Sequence, residues 1–271
     1  MNVLFIALLL ISNLTFQLDH QFNKTEDPKP ERDANFSDGF NKELLINIGE
    51  DTIAGYALIA SEETPKETII LVPGYPGNDN NFDIAQEIRK SGKNVILFNH
   101  RGAWGSQGLY SYTNCLEDIQ EKINYLSQEK NSKTLRIDIN AFTLLGRSYG
   151  GGIALIKGSE IESVKKIIAI STVNYGDIME GYNSLDELLN FKKYMAKQIM
   201  MNHNIDDFLQ ELLDKKQEFN ILNYSKKLAT KQVFFIEDSD KNDSWIKQIN
   251  KSSNYLGPLI GQEVLTFKSS D

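Results

Sequence analysis

Residues that build disulfides and metal sites are scarce in this sequence. Cys115 is the one cysteine in 271 residues, which excludes an internal disulfide and a cysteine-based zinc site. The three histidines, His20, His100 and His203, are far apart in the chain, and this spacing disfavours a multi-histidine metal centre. We therefore expect no metal ion.

Basic residues are also fewer than acidic residues. The chain has 29 Lys and Arg against 37 Asp and Glu, giving a formal net charge of −8. A nucleic-acid partner is not expected, because binding to a phosphate backbone requires a basic face. The 41% of hydrophobic residues are instead typical of a globular core.

Long apolar runs are missing except at the N-terminus, where residues 3–11 are nine consecutive apolar residues. As a helix they would span about 14 Å, which is too short for a stable membrane span. The run predicts a signal peptide over residues 1–17 and export to the periplasm or medium. The alternative is a buried N-terminal element in a cytoplasmic protein. Residues 18–42 are mostly polar and predict a solvated linker.

From residue 43 to residue 271, short apolar segments alternate with segments of helical spacing. This pattern predicts an α/β domain, with a mainly parallel sheet covered by helices on both faces and functional residues at the carboxyl ends of the strands. Helices are predicted at 80–90 and along a stripe of Leu116, Ile119, Ile123 and Leu126. Strands are predicted at 44–48, 53–60, 68–72, 94–98, 141–145, 164–171, 232–236 and 263–268.

Residues 177–228 interrupt this alternation with an almost entirely helical pattern. Four of the five methionines lie in this segment: Met179, Met195, Met200 and Met201. A helical insertion between strands can form a lid over the strand ends, and methionines suit an adaptable apolar surface. Ordinary helix packing explains each methionine equally well.

A serine flanked by glycines is the candidate nucleophile of this sequence. Gly146-Arg147-Ser148-Tyr149-Gly150 lies between a predicted strand and a predicted helix and matches the Gly-x-Ser-x-Gly nucleophile elbow. The turn is so tight that side chains at the flanking positions would clash, and glycine removes them. A glycine-rich phosphate-binding turn is the alternative, but no Gly-Lys-Ser/Thr follows.

With this motif the chain resembles the α/β-hydrolase family from about residue 43 onwards. Residues 71–77 (LVPGYPG) stand where that family carries its oxyanion loop, with Pro73 in place of the usual histidine. The resemblance implies an oxyanion hole formed by the backbone N–H groups of Tyr75 and Tyr149. Residues 99–106 (NHRGAWGS) resemble the family's Arg-Gly-x-Gly-x-Ser loop, and we expect residues 117–118 to open the next helix.

The resemblance also implies a triad acid after the strand at 232–236. Glu237 holds the position of a family glycine, so Asp240 is the matching acid, with Asp238 and then Asp243 as alternatives. The remaining carboxylates of this loop are expected to form a solvated acidic turn.

The family order is serine, acid, histidine, and the histidine follows the last strand. Here Asp271 follows that strand closely, so we expect the catalytic histidine beyond Asp271 and a C-terminally incomplete domain. His20 is expected to be exposed in the N-terminal segment. We expect His100 to lie in a structural loop and His203 at an exposed helix end.

Two functional hypotheses follow. The first is a serine hydrolase, esterase or serine aminopeptidase-like, that cleaves a small-molecule ester or amide through an acyl-enzyme on Ser148 without a cofactor. The second is a non-catalytic module that binds a ligand on the same fold. The absence of a well-placed histidine favours the second hypothesis, while the intact elbow favours the first.

Overall fold

The computed structural model describes residues 38–77, 81–182, 184–197, 200–237, 245–246, 249 and 265–266. The predicted signal peptide and most of the predicted linker lie outside these residues. The first described strand starts at Phe40, three residues before the expected start of the domain.

In the described part of the chain, eight strands form a single sheet of order β1-β2-β4-β3-β5-β6-β7-β8. The pairs β1·β2 and β2·β4 are antiparallel, and every other neighbouring pair is parallel. The predicted, mainly parallel α/β sheet is therefore confirmed. The strands are β1 (Phe40–Ile48), β2 (Asp51–Ile59), β3 (Lys66–Val72), β4 (Asn94–Phe98), β5 (Ile137–Arg147), β6 (Val164–Ile170), β7 (Gln232–Glu237) and β8 (Leu265–Thr266).

Helices cover both faces of this sheet because successive side chains of a buried strand point to opposite sides. On β3, Ile69 packs into a smaller cluster with Ala85 of the first helix, and Ile70 packs into the larger cluster on the other face. The helices are α1 (Phe82–Lys90), α2 (Tyr112–Ser127), α3 (Glu129–Thr134), α4 (Tyr149–Glu160), α5 (Tyr175–Gly181), α6 (Leu185–Met195), α7 (Ile205–Asp214) and α8 (Ser225–Leu228), with a 3-10 turn at Ile221–Tyr224.

The start of α2 differs from the expectation. The Ser111 side chain caps the helix by accepting a hydrogen bond from the Asn114 N–H, and Tyr112 is the first helical residue. Residues 117–118 therefore lie inside the helix and do not open it. The cap decides the boundary because the first amides of a helix need an acceptor outside it.

Helices α5 to α8 and the 3-10 turn lie between β6 and β7, and we call this segment, residues 175–228, the helical insertion. It is hydrogen-bonded to the loops that follow β3 and β4. The Tyr75 hydroxyl donates to the Met195 carbonyl at 2.8 Å, and the Tyr110 N–H donates to the Asn202 carbonyl at 2.8 Å. The insertion therefore contacts the chain at the carboxyl ends of the strands, while its role as a lid stays a prediction.

The methionines of the insertion do not share one surface. Met179 and Met195 are buried in the core, where they pack like ordinary apolar side chains, whereas Met200 is half exposed. Among the residues described, no helix is long and apolar enough to cross a bilayer.

Candidate active site

Ser148 lies in the predicted strand–turn–helix context, between the last residue of β5 and the first residue of α4. Its backbone has φ 53° and ψ −119°, a left-handed conformation that is strained for any residue with a Cβ. Hydrogen bonds hold the residue there: its N–H donates to the Ile170 carbonyl at 2.9 Å, and its carbonyl accepts from the Val173 N–H at 3.2 Å. The side chain is half-buried. The turn thus fixes the serine at the end of a central strand.

Both glycines of the motif are required by close backbone approach. A Cβ on Gly146 would lie 2.2 Å from the Gly150 carbonyl oxygen. A Cβ on Gly150 would lie 2.3 Å from the Val72 carbonyl oxygen and 2.6 Å from that of Pro73. These are the clashes that the sequence pattern predicts, and they place the elbow directly against the end of β3.

The amide of Tyr149 is the first of helix α4. The first N–H groups of a helix have no acceptor within it, and the helix dipole adds positive character at this end. Tyr149 also directs its ring into the core, where it is fully buried. The backbone N–H of Tyr149 is therefore anchored next to Ser148, as an oxyanion donor would need to be.

The loop that follows β3 carries Tyr75, the other predicted oxyanion residue. Trp104 holds this loop, since its indole N–H donates to the Pro76 carbonyl at 2.6 Å. Because Pro73 contacts Gly150, the loop and the elbow share a backbone contact. The structure thus brings the segments of the two predicted donors together.

The side chain of Tyr75 lies in an aromatic cluster under the helical insertion. Burial raises the pKa of its hydroxyl, with a smaller contribution from Tyr194, so the group stays protonated. Its ring centroid is 5.9 to 6.3 Å from those of four other residues: Tyr110, Tyr149, His203 and Phe208.

His203 belongs to this cluster, and the expectation of an exposed helix-end histidine is wrong. The ring is half-buried, and its Nε2 lies 3.2 Å from the Tyr75 hydroxyl. Residue 203 precedes α7 on a segment that folds back onto the loop after β4, and this long-range contact has no local sequence signal.

His100 occupies a structural loop after β4, as expected. The ring is 1% exposed, and its Nδ1 lies 3.3 Å from Oδ2 of Asp118. An ionised carboxylate only accepts hydrogen bonds, so Nδ1 is the donor. Burial lowers the pKa of His100 to about 4, helped by the Lys122 charge and opposed by Asp118. Burial and this pairing keep His100 away from any substrate.

Asp118 and Lys122 complete a buried charge cluster with His100 and Arg101. Arg101 donates to Asp118 from its backbone N–H at 2.8 Å and from Nε at 2.6 Å. Burial alone would raise the pKa of Asp118, but Lys122, His100 and Arg101 together bring it below the usual range of the carboxyl.

Lys122 is fully buried, and its Nζ lies 3.9 Å from Asp118 and 3.3 Å from the centroid of the Phe98 ring. Burial lowers the pKa of Lys122 to about 7, against the opposing effect of Asp118. This cluster was not predicted from the sequence. The available signal was the four-residue spacing of Asp118 and Lys122 beside the apolar stripe of α2.

The predicted acid Asp240 and its alternatives Asp238 and Asp243 lie outside the described residues, as does His20. Strand β7 ends at Glu237 and pairs in parallel with β6, which pairs in parallel with β5. The acidic loop therefore begins at the same edge of the sheet as Ser148, two strands away.

A cavity of about 470 Å³ lies beside the oxyanion loop, at the carboxyl ends of β3 and β4. None of its described lining residues is Asp, Glu, Lys or Arg; its walls include Pro73, Gly77, Asn99 and Trp104. Across the described ranges, no group of three or more His, Cys, Asp and Glu side chains is arranged to hold a metal ion.

Comparisons with known proteins agree with this architecture. The family model of the alpha/beta hydrolase fold matches residues 67–267, most of the chain. A comparison with curated protein sequences gives no significant match.

Solved structures similar to this chain include an esterase from Pyrococcus furiosus, at 19% identity and a TM-score of 0.54, which covers 79% of each chain. A carboxylesterase cloned from a metagenomic library has 13% identity and a TM-score of 0.54, covering 79% of this chain and 76% of the other. An alpha/beta hydrolase from Penicillium sp. has 14% identity and a TM-score of 0.55, covering 74% and 80%. At these identities the likeness concerns the fold alone. Together with the family match, it shows that the chain belongs to the α/β-hydrolase fold family.

Proposed function

We propose that the protein is a serine hydrolase that cleaves a carboxylic ester or a small amide through an acyl-enzyme on Ser148. The observation that carries this proposal is the strained backbone of Ser148, at φ 53°, held between the end of β5 and the N-terminus of α4. Strain of about 1–3 kcal/mol persists where the surrounding structure over-determines it, and it clusters at active sites. Membership of a family named for its hydrolase fold supports the same reaction class.

The reaction follows from the positions of the donors. The Ser148 oxygen attacks the substrate carbonyl carbon as its proton passes to a base, and the carbonyl oxygen becomes an oxyanion. The backbone N–H groups of Tyr75 and Tyr149 stabilise that charge, each contributing about 3–4 kcal/mol in comparable sites. The alcohol or amine then leaves with a proton, and water releases the acid from the acyl-serine.

Asp240 is our proposed triad acid, because it matches the family position in the loop after β7. Its partner would be the histidine that the family carries after the last strand. His100 does not suit this role, since its ring is 1% exposed and already paired with Asp118. His203 contacts the Tyr75 hydroxyl, and no described carboxylate bonds to its ring, so we do not assign it as the base.

A neutral small molecule is the substrate class that the surroundings favour. The cavity of about 470 Å³ beside the oxyanion loop has aromatic and amide walls, and none of its described lining residues is charged. Burying a charged group against such walls without a partner would be costly. We therefore favour carboxylic esters over charged peptides, and we expect no cofactor.

Labelling with a fluorophosphonate probe tests the proposal. We expect the full-length protein, with the catalytic histidine that the proposal requires, to be labelled and its Ser148→Ala variant to lose all labelling. The matched control is Ser171→Ala, because Ser171 follows the end of β6 and also has a positive φ of 44°. This control should keep the wild-type labelling rate.

Labelling that survives Ser148→Ala would place the nucleophile elsewhere and contradict the proposal. A folded full-length protein that stays unlabelled would also contradict it and favour the non-catalytic ligand-binding module. Circular dichroism of the same samples shows whether each variant is folded.

Export is a separate proposal that rests on residues 1–17. Expression of the full chain, followed by mass spectrometry of the purified protein, tests it. Loss of the first residues from protein in the exported fraction supports a cleaved signal peptide, whereas an intact N-terminus in the cytoplasm contradicts it.

A further inference from the structure

Tyr75 takes part in two regions of the molecule at once. Its backbone belongs to the loop that follows β3, where its N–H is the proposed oxyanion donor. Its side chain is bound by the helical insertion, through a hydrogen bond of 2.8 Å from the hydroxyl to the Met195 carbonyl. Residues 75 and 195 are 120 positions apart, so this contact exists only in the folded chain.

The hydrogen bond between the Tyr75 hydroxyl and the Met195 carbonyl gives a partner to two polar groups that need one. Met195 is the last residue of α6, and the final carbonyls of a helix have no donor within it. The Tyr75 hydroxyl has one proton, which it donates to this carbonyl. Its oxygen is therefore the acceptor for the His203 ring nitrogen at 3.2 Å. One hydroxyl thus joins two separate parts of the insertion.

The ring of Tyr75 also contacts the other side of the proposed oxyanion hole. Its centroid lies 6.0 Å from that of Tyr149, whose N–H is the second proposed donor. Phe208 of α7 stacks on the Tyr75 ring, with the two ring centroids 6.2 Å apart. A displacement of the insertion would therefore act on the Tyr75 side chain and on the loop that carries its N–H.

The second anchor of this loop comes from a different region. Trp104, in the loop after β4, donates to the Pro76 carbonyl at 2.6 Å, one residue away from Tyr75. The loop after β4 is itself bonded to the insertion, since the Trp104 N–H donates to the Met200 carbonyl at 3.1 Å. Among the described residues, the direct hydrogen bonds between the loop after β3 and the insertion are those of the Tyr75 hydroxyl with Met195 and His203.

We propose that the Tyr75 hydroxyl is a positioning group through which the helical insertion sets the oxyanion loop, so that the place of the insertion regulates reactivity at Ser148. This inference rests on the proposed function. Tyr75 acts through its own backbone N–H, and its hydroxyl does not touch the reacting atoms. Release of the hydroxyl from Met195 and His203 leaves the N–H less well placed for the oxyanion.

The test compares Tyr75→Phe with Tyr224→Phe. Tyr224 is the matched control, because its hydroxyl also donates to a backbone carbonyl, that of Glu218 at 2.9 Å, in a half-buried site. The fluorophosphonate labelling rate is measured as a function of probe concentration, which separates the maximal rate from the half-saturating concentration. We expect Tyr75→Phe to lower the maximal rate about tenfold, a fraction of the loss seen when an oxyanion donor is removed. The half-saturating concentration should stay within about twofold of wild type, because binding of the probe does not use the oxyanion hole.

A general loss of stability would not produce this pattern, since it leaves the maximal rate of the folded molecules unchanged. His203→Phe is the second variant; it keeps an aromatic ring in the cluster and removes only the nitrogen contact. It should lower the maximal rate less than Tyr75→Phe does, and it keeps the inference testable if Tyr75→Phe does not fold.

The outcomes separate this inference from the proposed function. Labelled wild type with an unchanged maximal rate in Tyr75→Phe would overturn the positioning role and leave the hydrolase proposal intact. Equal losses in Tyr75→Phe and Tyr224→Phe would also overturn it. A folded wild type that is not labelled would contradict the hydrolase proposal itself and this inference with it.

Discussion

The loops at the carboxyl ends of β4 and β5 both carry residues of a catalytic type, and they differ in access. His100 pairs with Asp118 in the tautomer that a triad histidine needs, with Nδ1 as the donor, yet its ring is 1% exposed. Ser148 is half-buried and lies at a strained turn. Residue type and pairing therefore do not identify a catalytic side chain. The side chain must also be accessible to a substrate and lie near hydrogen-bond donors that have no partner in the fold.

The two loops also differ in whether a full charge is already present. At the buried charge cluster, Arg101 and Lys122 surround an Asp118 carboxylate that is charged before any reaction. At the elbow, the N-terminus of α4 offers positive dipole character where no full charge lies yet. The first arrangement stabilises the fold, and the second suits a charge that develops during a reaction.

The largest expected effect comes from removing the central carboxylate of the cluster. Asp118→Asn leaves Arg101 and Lys122 without their buried partner, and we expect the free energy of unfolding to fall by about 3–5 kcal/mol. Urea denaturation at pH 7 measures this. Asp214→Asn is the control, because Asp214 is exposed and should change stability by less than about 0.5 kcal/mol. Equal stabilities of the two variants would show that the buried charge is not structural.

A smaller effect is expected from the pH dependence of Lys122. Its pKa falls from 10.5 to about 7 on folding, so between these values the unfolded chain binds more protons than the folded one. The free energy of unfolding therefore rises with pH in this window, at most by about 1.4 kcal/mol per pH unit.

Measurements from pH 7 to 8.5 isolate this slope. They stay below the ordinary pKa of 9.0 of Cys115, whose thiol has its pKa raised by burial and gives the opposite slope at higher pH. We expect Lys122→Met to remove most of the slope and the exposed Lys133→Met to keep it. A wild type without a slope would contradict the lowered pKa of Lys122.

The smallest effect concerns the backbone of the elbow. Glycine adopts φ 53° without the clash of a Cβ, so Ser148→Gly should be more stable than Ser148→Ala by about 1 kcal/mol. Thermal or urea unfolding measures the difference. At Ser159, inside α4, the order should reverse, because glycine costs about 1 kcal/mol relative to alanine in a helix. If Ser148→Ala were more stable than Ser148→Gly, as alanine is expected to be at Ser159, the turn would store no strain.

Much of the fold was predictable because strands and helices have different apolar periods. The strand predicted at 94–98 matches β4, and the segments flanking Ser148 form the predicted strand and helix. The start of α2 was misplaced, since it depends on the Ser111 cap. The expectation of an exposed His203 was wrong, since Tyr75 and Tyr110, which pack against its ring, are more than 90 positions away in the chain. Periodicity carries no information about such contacts.

The sequence by itself determined the alternation of elements and the glycines that a tight turn requires at positions 146 and 150. Both follow from local physics: the burial period of each element and the steric limits of the backbone. Only the tertiary structure decided that Lys122 is buried beside Asp118 and that the Tyr75 hydroxyl reaches Met195. These contacts join distant segments, and their free energy depends on burial and on the partners that the folded chain brings together.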